Sequence, residues 1–393
     1  QCAYRCSPTF LGQNVPERIC WWRRPLPNNV PAADWWLHGT LQTDHGQIQV
    51  GEFHHNGDFI NGSNGNASEH AVFKEPLGFS FDIRDTFAVP DIARNAEMMN
   101  EAWQRSQYAC DVDGIVSIDP VFIQKMVEIN GNVTLEDGTV LTGENTAEYM
   151  LNTIYKEVPV SLQDTYFEYI ASTIMNNAFS NMDITKMMKV AQSIGELTRN
   201  RHFYAYTFHD DEAKYFQGAG LAKGTPDSET DPEVGIYLNE QNPSKLGWYI
   251  DRKTQITKTG QNADGSKTYH VTYTLTNTLT SSEMATCTGY ILGGEQAGVT
   301  GKPVAAPGTS AQRMLFYAPK GGSISEITSS GDVRDQSNAV MDGQKLVTNV
   351  AYIAPGESVT FDFDVTTSPK AENDLTIDQT PSGKMTNEVN YQY

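Results

Sequence analysis

The run Val112-Asp113-Gly114-Ile115-Val116-Ser117-Ile118-Asp119-Pro120 decides the fold of the first half of the chain. Residues 112–118 alternate apolar residues with polar or small ones, which is typical of a strand with one buried face. Pro120 cannot continue the hydrogen-bonded ladder of a strand, but it suits the first turn of a helix. The pattern therefore predicts a strand that leads directly into a helix.

The residues that follow favour a compact α/β unit. Residues 121–129 place apolar side chains at helical spacing, and Asn130-Gly131 supplies a left-handed C-terminal cap. A second helix is predicted to open at Thr142, whose hydroxyl can cap it, with Asn145 three residues later. Apolar spacing also predicts helices over residues 89–107, 165–178 and 186–198, a hairpin over 43–48 and a strand over 202–208.

After Ser244 the pattern changes to period two, which indicates strands with one buried face. The predicted strands are 248–258, 267–278, 313–317, 345–353 and 358–365. Gly, Pro, Asn and Asp turns separate them at the spacing of a β-sandwich, and Ala354–Ser358 forms a turn common in immunoglobulin-like modules. We therefore expect an α/β domain over residues 41–240, with a mixed sheet and flanking helices. An all-β, immunoglobulin-like sandwich over 246–366 and a frayed polar tail over 367–393 should follow.

Composition excludes several classes of protein. The chain has 393 residues, which favours two domains, and its hydrophobic content of 39% is sufficient for packed cores. The net charge of −20 argues against nucleic-acid partners and against electrostatic docking on anionic lipid. No apolar run approaches the length of a spanning helix. The chain begins at Gln1 rather than Met, so any signal or anchor is expected upstream of it.

The motifs between residues 113 and 145 closely resemble those of a bacterial family known as domain of unknown function 4012. Members carry an Asp-Gly-Val-Ile-Ala-Ile-Asp-Pro run, a Gly-Pro-Val and a Leu-Thr-x-Glu-Asn. The matching residues here are Asp113–Pro120, Gly131-Asn132-Val133 and Leu141–Asn145. The resemblance continues through Ser244–Asp251 and Ala354–Ser358, so it covers roughly residues 41–365. It implies a fold and an envelope location, and it implies no reaction.

Residues 1–40 contain Trp21-Trp22, Arg23-Arg24 and Trp35-Trp36 without helical or strand periodicity. Family members carry Arg-x-x-Gly-Gly-Phe-x-Gly near this place. Because Trp is encoded only by TGG, Trp35-Trp36-Leu37 read one nucleotide later begins with Gly-Gly. We therefore hypothesise that residues 1–40 are a frameshifted segment with little regular structure, whose tryptophans are not buried. Among the five cysteines, Cys2, Cys6 and Cys20 crowd this segment, and free thiols are the favoured interpretation.

The family in turn resembles the LytR-CpsA-Psr transferases, which move glycopolymers from a polyprenyl-pyrophosphate carrier onto peptidoglycan. Arg84-Asp85-Thr86 stands where those enzymes place an Arg-Asp pair that handles pyrophosphate and magnesium. The resemblance makes Arg84, Asp85 and Arg94 the candidate catalytic residues, with Asp85 as the candidate ligand of Mg²⁺, the only cofactor implied. Guanidinium groups bind phosphate in a bidentate manner, and carboxylates hold hard cations.

The chain departs from the transferases at two later motifs. Their arginines are replaced by Asn152–Tyr155 and by Asp164–Phe167. An ordinary salt bridge of Arg84 or Asp85 is therefore the favoured interpretation, and Asp113 and Asp119 are expected to cap turns. A metal site among His45, His54, His55 and His70 is disfavoured, and the aromatic strand Phe203–Tyr206 is expected in the core rather than as a sugar platform.

Three functions remain open at this point. The first is an extracytoplasmic, cell-surface-anchored protein, a non-catalytic or divergent relative of the transferases, that binds wall or polyprenyl-linked glycan during surface polysaccharide assembly. The second is a working magnesium-dependent glycopolymer transferase that uses Arg84 and Asp85. The third is a structural surface module that makes protein contacts. The missing arginines favour the first and the third, so we expect no transfer, or very slow transfer, from a polyprenyl-pyrophosphate donor.

Overall fold

The computed structural model describes residues 18–23, 37–44, 47–59, 62, 65–74, 81–180, 183–242, 244–293, 305–384 and 387–393. Contacts between residues divide the chain into two compact units. The described part of the first unit lies within residues 18–62 and 81–223, and that of the second lies within 65–74 and 224–393. Each unit has a hydrophobic core of its own.

The first unit is built on a five-stranded mixed sheet with the order β3-β2-β1-β4-β7. Its strands are β1 (Arg18–Arg23), β2 (Leu37–Asp44), β3 (Gln47–His55), β4 (Gly114–Ile118) and β7 (Phe203–Thr207), and a separate pair consists of β5 (Val133–Thr134) and β6 (Val140–Leu141). Strands β1 and β4 run parallel, whereas the other neighbours in the sheet are antiparallel. The predicted hairpin is confirmed by the pairing of β2 with β3.

The described helices occur mainly in the first unit. In chain order they are α1 (Ala67–Glu69), α2 (Ile92–Gln104), α3 (Pro120–Asn130), α4 (Thr146–Glu148), α5 (Ile154–Glu157), α6 (Val160–Ser180), α7 (Ile184–Arg199), α8 (Asp210–Gly218), α9 (Ser281–Thr286) and α10 (Gly289–Leu292). Short 3-10 helices cover Asn56–Asp58, Ile83–Ala88 and Leu246–Tyr249, and π-helical turns cover His70–Lys74 and Tyr149–Thr153.

The predicted strand and helix at residues 112–130 are confirmed as β4 and α3. Asp119 is the N-cap of α3, and its Oδ1 accepts the N–H groups of Val121 and Phe122, both at 2.9 Å. Gly131 ends the helix with a φ of 102°, a value that favours glycine. The next helix, α4, starts at Thr146, four residues later than predicted. Thr142 and Asn145 instead form a turn, in which the N–H of Thr142 donates to Oδ1 of Asn145 at 2.7 Å and the N–H of Asn145 donates to Oγ1 of Thr142 at 3.2 Å.

Side chains on the two faces of β7 contact different helices. Tyr204 belongs to a buried cluster with Ile115 of β4 and with Met99 and Trp103 of α2. Phe203, which alternates to the opposite face of the strand, stacks on Phe122 of α3 with ring centroids 5.2 Å apart. The mixed sheet is therefore covered by helices, as the sequence predicts.

The second unit contains two sheets, with the orders β14-β15-β11-β8-β17 and β12-β16-β10-β9-β18. The strands are β8 (Glu233–Glu240), β9 (Ile250–Gln261), β10 (Lys267–Asn277), β11 (Ser310–Tyr317), β12 (Ser323–Ile324), β13 (Thr328–Ser330), β14 (Asp332–Met341), β15 (Gln344–Ile353), β16 (Ser358–Thr366), β17 (Thr376–Gln379) and β18 (Glu388–Gln392). Strand β13 pairs with β16 outside these orders.

Both sheets contribute to one core, in which Phe316 of β11 meets Phe361 of β16 edge to face with ring centroids 5.2 Å apart. All five predicted strands of this region are confirmed by β9, β10, β11, β15 and β16. The described helices between residues 246 and 366 are short. The region is therefore β-rich and follows an α/β region, as predicted.

The expectation of little regular structure in residues 1–40 is wrong for Arg18–Arg23, because this segment forms β1 between β2 and β4. Strand β2 likewise begins at Leu37 rather than after residue 40. The predicted exposure of Trp35 and Trp36 lies outside the described residues, as do the side chains of Trp21 and Trp22. A segment with an irregular pattern can still become a strand when it is paired on both sides, as β1 is.

Two predicted boundaries also need correction. Strand β8, assigned to the predicted α/β domain over residues 41–240, pairs with β11 and thus belongs to the second unit, whose C-terminal part starts at Gly224. The tail is not frayed where β17 and β18 add to the two sheets, each in parallel to its neighbour. Strand β8 is buried at every residue after Glu233, so it lacks the alternation that reveals a one-sided strand.

Candidate functional site: a polar cleft beside Trp248

The residues predicted from the transferases lie around the 3-10 helix Ile83–Ala88. Asp82 is the N-cap of this helix, and its carboxylate accepts hydrogen bonds from Nε (2.9 Å) and Nη2 (2.6 Å) of Arg84. The two side chains are 4% and 22% exposed, so this is a largely buried bidentate ion pair. The guanidinium group expected to bind pyrophosphate thus holds Asp82 and supports the start of the helix.

Asp85 and Arg94 also fix the local backbone. Asp85 is 2% exposed and accepts the N–H of Phe81, whose φ of 52° is unusual for a bulky residue. Arg94 at the start of α2 donates from Nη1 to the carbonyl of Thr86 at 3.0 Å. The three candidate catalytic residues therefore lie close together in the sequence, and the contacts described for them hold the local backbone. Their catalytic roles, and the role of Asp85 as a magnesium ligand, stay predictions.

The described residues hold no group of three or more His, Cys, Asp or Glu side chains placed to bind a metal ion. His54 stacks on Tyr108, with ring centroids 3.6 Å apart. His45 and the side chain of His55 lie outside the described residues. Cys110 and Cys287 are free thiols, whereas the side chains of Cys2, Cys6 and Cys20 are not described.

Asp113 and Asp119, the two aspartates of the motif over residues 112–120, pair with histidines at the ends of β7. Oδ2 of Asp119 lies 2.6 Å from Nδ1 of His202, and the two side chains are 1% and 0% exposed. At the other end of β4, Oδ1 of Asp113 lies 2.8 Å from Nε2 of His209. This hydrogen bond raises the pKa of His209 above its usual value. The pairs join β4 to β7, so the motif has a structural role here that goes beyond capping.

A polar cleft of about 600 Å³ opens in the second unit at the start of β9. The 3-10 helix Leu246–Tyr249 presents Trp248 to it. Leu246 and Tyr249 are buried, at 0% and 3% exposure, and residues three apart in such a helix lie on one face. Gly247 and Trp248 are consequently turned to the other side, where they line the cleft. The buried pair thus anchors the aromatic side chain that faces the opening.

Two exposed ion pairs connect the cleft walls. Lys384 reaches Asp251 at 2.6 Å, and Lys253 reaches Glu388 at 2.8 Å. Each pair joins β9 to the C-terminal segment. Because their side chains are about half exposed or more, such pairs contribute little to stability. They can exchange partners with a ligand at low cost.

Arg252 fixes the C-terminal segment that forms one wall of the cleft. Its guanidinium group donates to the backbone carbonyls of Thr380 and Pro381, the latter at 2.8 Å. These bonds hold the segment that carries Ser382 and Lys384 against β9. The cleft therefore combines one large aromatic side chain with closely spaced donors and acceptors, the arrangement of many sites for small polar ligands.

This cleft could not be recognised from the sequence for two reasons. Its second wall comes from the segment that was expected to fray, so Lys384 and Glu388 were not considered. Trp248 stands within the Ser244–Asp251 resemblance, but nothing in its spacing indicates a cleft. The available signal was a tryptophan flanked by glycine at the edge of a strand pattern, outside the buried positions.

Comparison with known proteins gives a family match over part of the chain and no reaction. None of the curated proteins matches the chain significantly. The Lin1025 protein from Listeria innocua is 13% identical with a TM-score of 0.29, over 56% of this chain and 85% of that chain. The protein lpg2210 from Legionella pneumophila is 13% identical with a TM-score of 0.19, over 35% and 44% of the two chains. No described helix is long and apolar enough to cross a membrane.

Residues 37–155 match the family model described as "Protein of unknown function (DUF4012)". This range includes the Asp113–Asn145 block on which the resemblance rests, and it ends before the Ser244–Asp251 and Ala354–Ser358 segments. The match therefore confirms the resemblance to the DUF4012 family that the motifs predict, over residues 37–155 of the 393-residue chain.

Proposed function

We propose that this protein is a binding protein of the bacterial envelope that holds glycan during surface polysaccharide assembly. The Trp248 cleft is the observation that carries the proposal. An indole ring offers a flat apolar surface against which the C–H face of a sugar can pack. Paired lysines and carboxylates beside it offer donors and acceptors together, which suits hydroxyl groups because each hydroxyl both donates and accepts.

The balance of charge in the cleft favours a polyhydroxylated ligand over a simple anion. Asp251 and Glu388 offset Lys384 and Lys253, so the two lysines present no uncompensated positive charge. The chain as a whole carries a net charge of −20, which repels polyanions. A neutral glycan avoids that repulsion and still uses every polar group of the cleft.

The proposal includes two finer classifications and a location. The β4–α3 motif supports a LytR-CpsA-Psr-like fold for the first unit, and the two sheets with a common core support an immunoglobulin-like sandwich for the second. The resemblance of residues 37–155 to this family supports an extracytoplasmic location. The partner is wall or surface glycan.

Replacing Trp248 with alanine should weaken glycan binding at least about tenfold, or ~1.4 kcal/mol, because the aromatic surface is lost. Binding is measured by cosedimentation with purified sacculi that retain or lack their attached polysaccharide, and by affinity electrophoresis in soluble polysaccharides. Tyr215→Ala is the matched control, since Tyr215 is 67% exposed and lies in the first unit. Equal binding by all three proteins, or no binding to any preparation, would exclude the proposed function.

The same proposal predicts no transferase turnover with Mg²⁺ and a polyprenyl-pyrophosphate-linked oligosaccharide donor. Pyrophosphate transfer requires positive groups directed at the phosphates, whereas Arg84 is held by Asp82 and Arg94 by the Thr86 carbonyl. The measurement follows release of the polyprenyl pyrophosphate by the wild type and by Arg84→Ala. Robust turnover that is lost in Arg84→Ala would establish the transferase instead.

A further inference from the structure

A second cleft, of about 360 Å³, opens in the second unit. Tyr352 at the end of β15, Arg334 and Asp332 at the start of β14, and Ser358 at the start of β16 line it. The Arg334 guanidinium carbon lies 4.2 Å from the centroid of the Tyr352 ring. Like the Trp248 cleft, it thus combines an aromatic side chain with charged hydrogen-bonding groups.

The two clefts share a wall. Asp251 of β9 is paired with Thr276 of β10, which is paired with Ser358 of β16. Directly paired residues project from the same face of a sheet, and adjacent strands lie about 4.8 Å apart. Asp251 and Thr276 line the Trp248 cleft, whereas Ser358 lines the second one. The boundary between them is therefore a single interstrand step.

The boundary between the two clefts is polar, and its side chains are short. Oγ1 of Thr276 lies 2.8 Å from Oγ of Ser358, and Ser358 is exposed. The side chains at this position are short hydroxyls that present donors and acceptors, so a chain of sugar units can cross them while keeping hydrogen bonds. No large side chain of the Asp251–Thr276–Ser358 row stands between the two openings.

The second cleft offers the same mixture of charges as the first. Arg334 forms two hydrogen bonds with Asp332, of 2.8 Å from Nε and 2.5 Å from Nη2. The pairing holds the pKa of Asp332 below its usual range, so the carboxylate is charged at neutral pH. Glu357 adds a further acceptor at the rim. Hydroxyl groups of a neutral ligand can again bridge donor and acceptor.

We propose that the two clefts form one extended site, which binds a glycan chain with units in both openings rather than a single sugar or disaccharide. This inference rests on the proposed glycan binding and specifies its ligand as a polymer. Trp248 provides the first subsite and Tyr352 the second, and the Thr276–Ser358 hydroxyl pair lies under the chain where it passes between them.

The test uses oligosaccharides released by partial acid hydrolysis from polysaccharide-bearing sacculi and separated by length. The dissociation constant of the whole protein chain for each oligosaccharide is measured by calorimetry and compared with the length of the oligosaccharide. For the wild type, affinity should rise by about tenfold once the oligosaccharide is long enough to reach the second cleft, and should then level off. Tyr352→Ala should remove this rise and leave the affinity for the shortest binding oligosaccharide unchanged, whereas Trp248→Ala should weaken binding at every length.

Unchanged binding of the shortest oligosaccharide also shows that Tyr352→Ala is folded. Arg334→Ala provides a second variant of the same cleft, and its side chain is 57% exposed, so its loss is structurally mild. Binding that depends on Trp248 but neither rises with length nor responds to these variants would overturn the extended site and keep glycan binding. Absence of binding at all lengths would overturn both.

Discussion

Replacing Asp119 with alanine is expected to destabilise the first unit by about 4 kcal/mol, because three buried donors lose their acceptor together. The carboxylate accepts the N–H groups of Val121 and Phe122 through Oδ1 and contacts Nδ1 of His202 through Oδ2. The side chains of Asp119 and His202 are at most 1% exposed, so water cannot replace the lost contacts.

Asp183→Ala is the matched control for the capping part of this effect. Asp183 is the N-cap of α7 and accepts the N–H of Lys186 at 2.8 Å, but it is exposed. Its replacement should cost only about 1 kcal/mol, the usual value of an N-cap. The additional loss of stability in Asp119→Ala, compared with Asp183→Ala, then measures the buried contact with His202.

The measurement is urea unfolding combined with hydrogen–deuterium exchange of peptides from β4 and α3. Exchange localises the effect to the first unit, which a global transition of a two-unit chain does not. We expect faster exchange in β4, α3 and the start of β7 for Asp119→Ala. If both variants lose the same stability, the Asp119–His202 contact contributes nothing beyond the cap.

The Asp119 site also shows how much of this fold the sequence contains. The helix cap could be predicted, because aspartate, proline and an apolar helical pattern are local signals. The contact with His202 could not, since the partner is 83 residues away and a single histidine carries no pairing information. The same limit applies to Arg84: the sequence suggests an ion pair, but its partner is Asp82 rather than the neighbouring Asp85.

The strands of the second unit likewise divide into those that could be predicted from the sequence and those that could not. Strands β10 and β16 have one buried face, so strict alternation revealed them. Strand β8 is buried almost throughout and β14 is exposed over most of its length, so neither alternates. Strands β17 and β18 are short edge strands whose pairing depends on the completed sheets, and the cleft that their connection forms could not be foreseen.

Glutamine in place of Glu240 is expected to stabilise the second unit by about 3 kcal/mol above pH 7 and to have little effect near pH 4. Glu240 ends β8 and is 0% exposed. Burial raises its pKa from 4.5 to about 7, although Ser310, Ala311 and Asn242 donate hydrogen bonds that lower it. One pKa unit corresponds to about 1.4 kcal/mol, so the shift is equivalent to about 3 kcal/mol.

The direction of this pH dependence follows from the protons bound in the folded and unfolded states. A carboxyl group whose pKa is higher in the folded state holds its proton there while the unfolded chain has released it, so unfolding releases a proton between pH 4.5 and about 7. The stability associated with Glu240 is therefore fully present below pH 4.5 and is lost as the pH rises to about 7. Glutamine does not titrate, so its contribution stays constant across this range.

Glutamine also fits the hydrogen bonds of the site. Oε1 of Glu240 accepts the N–H groups of Ala311 (2.7 Å) and Asn242 (3.0 Å), and the amide oxygen can do the same. Oε2 faces Oγ of Ser310 and Nε2 of Gln312, the latter at 2.9 Å. The new amide nitrogen can donate to Ser310, and rotation of the Gln312 amide would present an oxygen to it.

Thermal and urea unfolding between pH 4 and 9 measure the effect, with exchange in β8 and β11 locating it in the second unit. The difference between Glu240→Gln and the wild type removes the background from the other carboxylates of this acidic chain. Glu326→Gln, at an exposed position of the same unit, should show no such dependence. A stability difference for Glu240→Gln that is the same at every pH would mean that the pKa of Glu240 is not raised by folding, because its four donors offset the effect of burial.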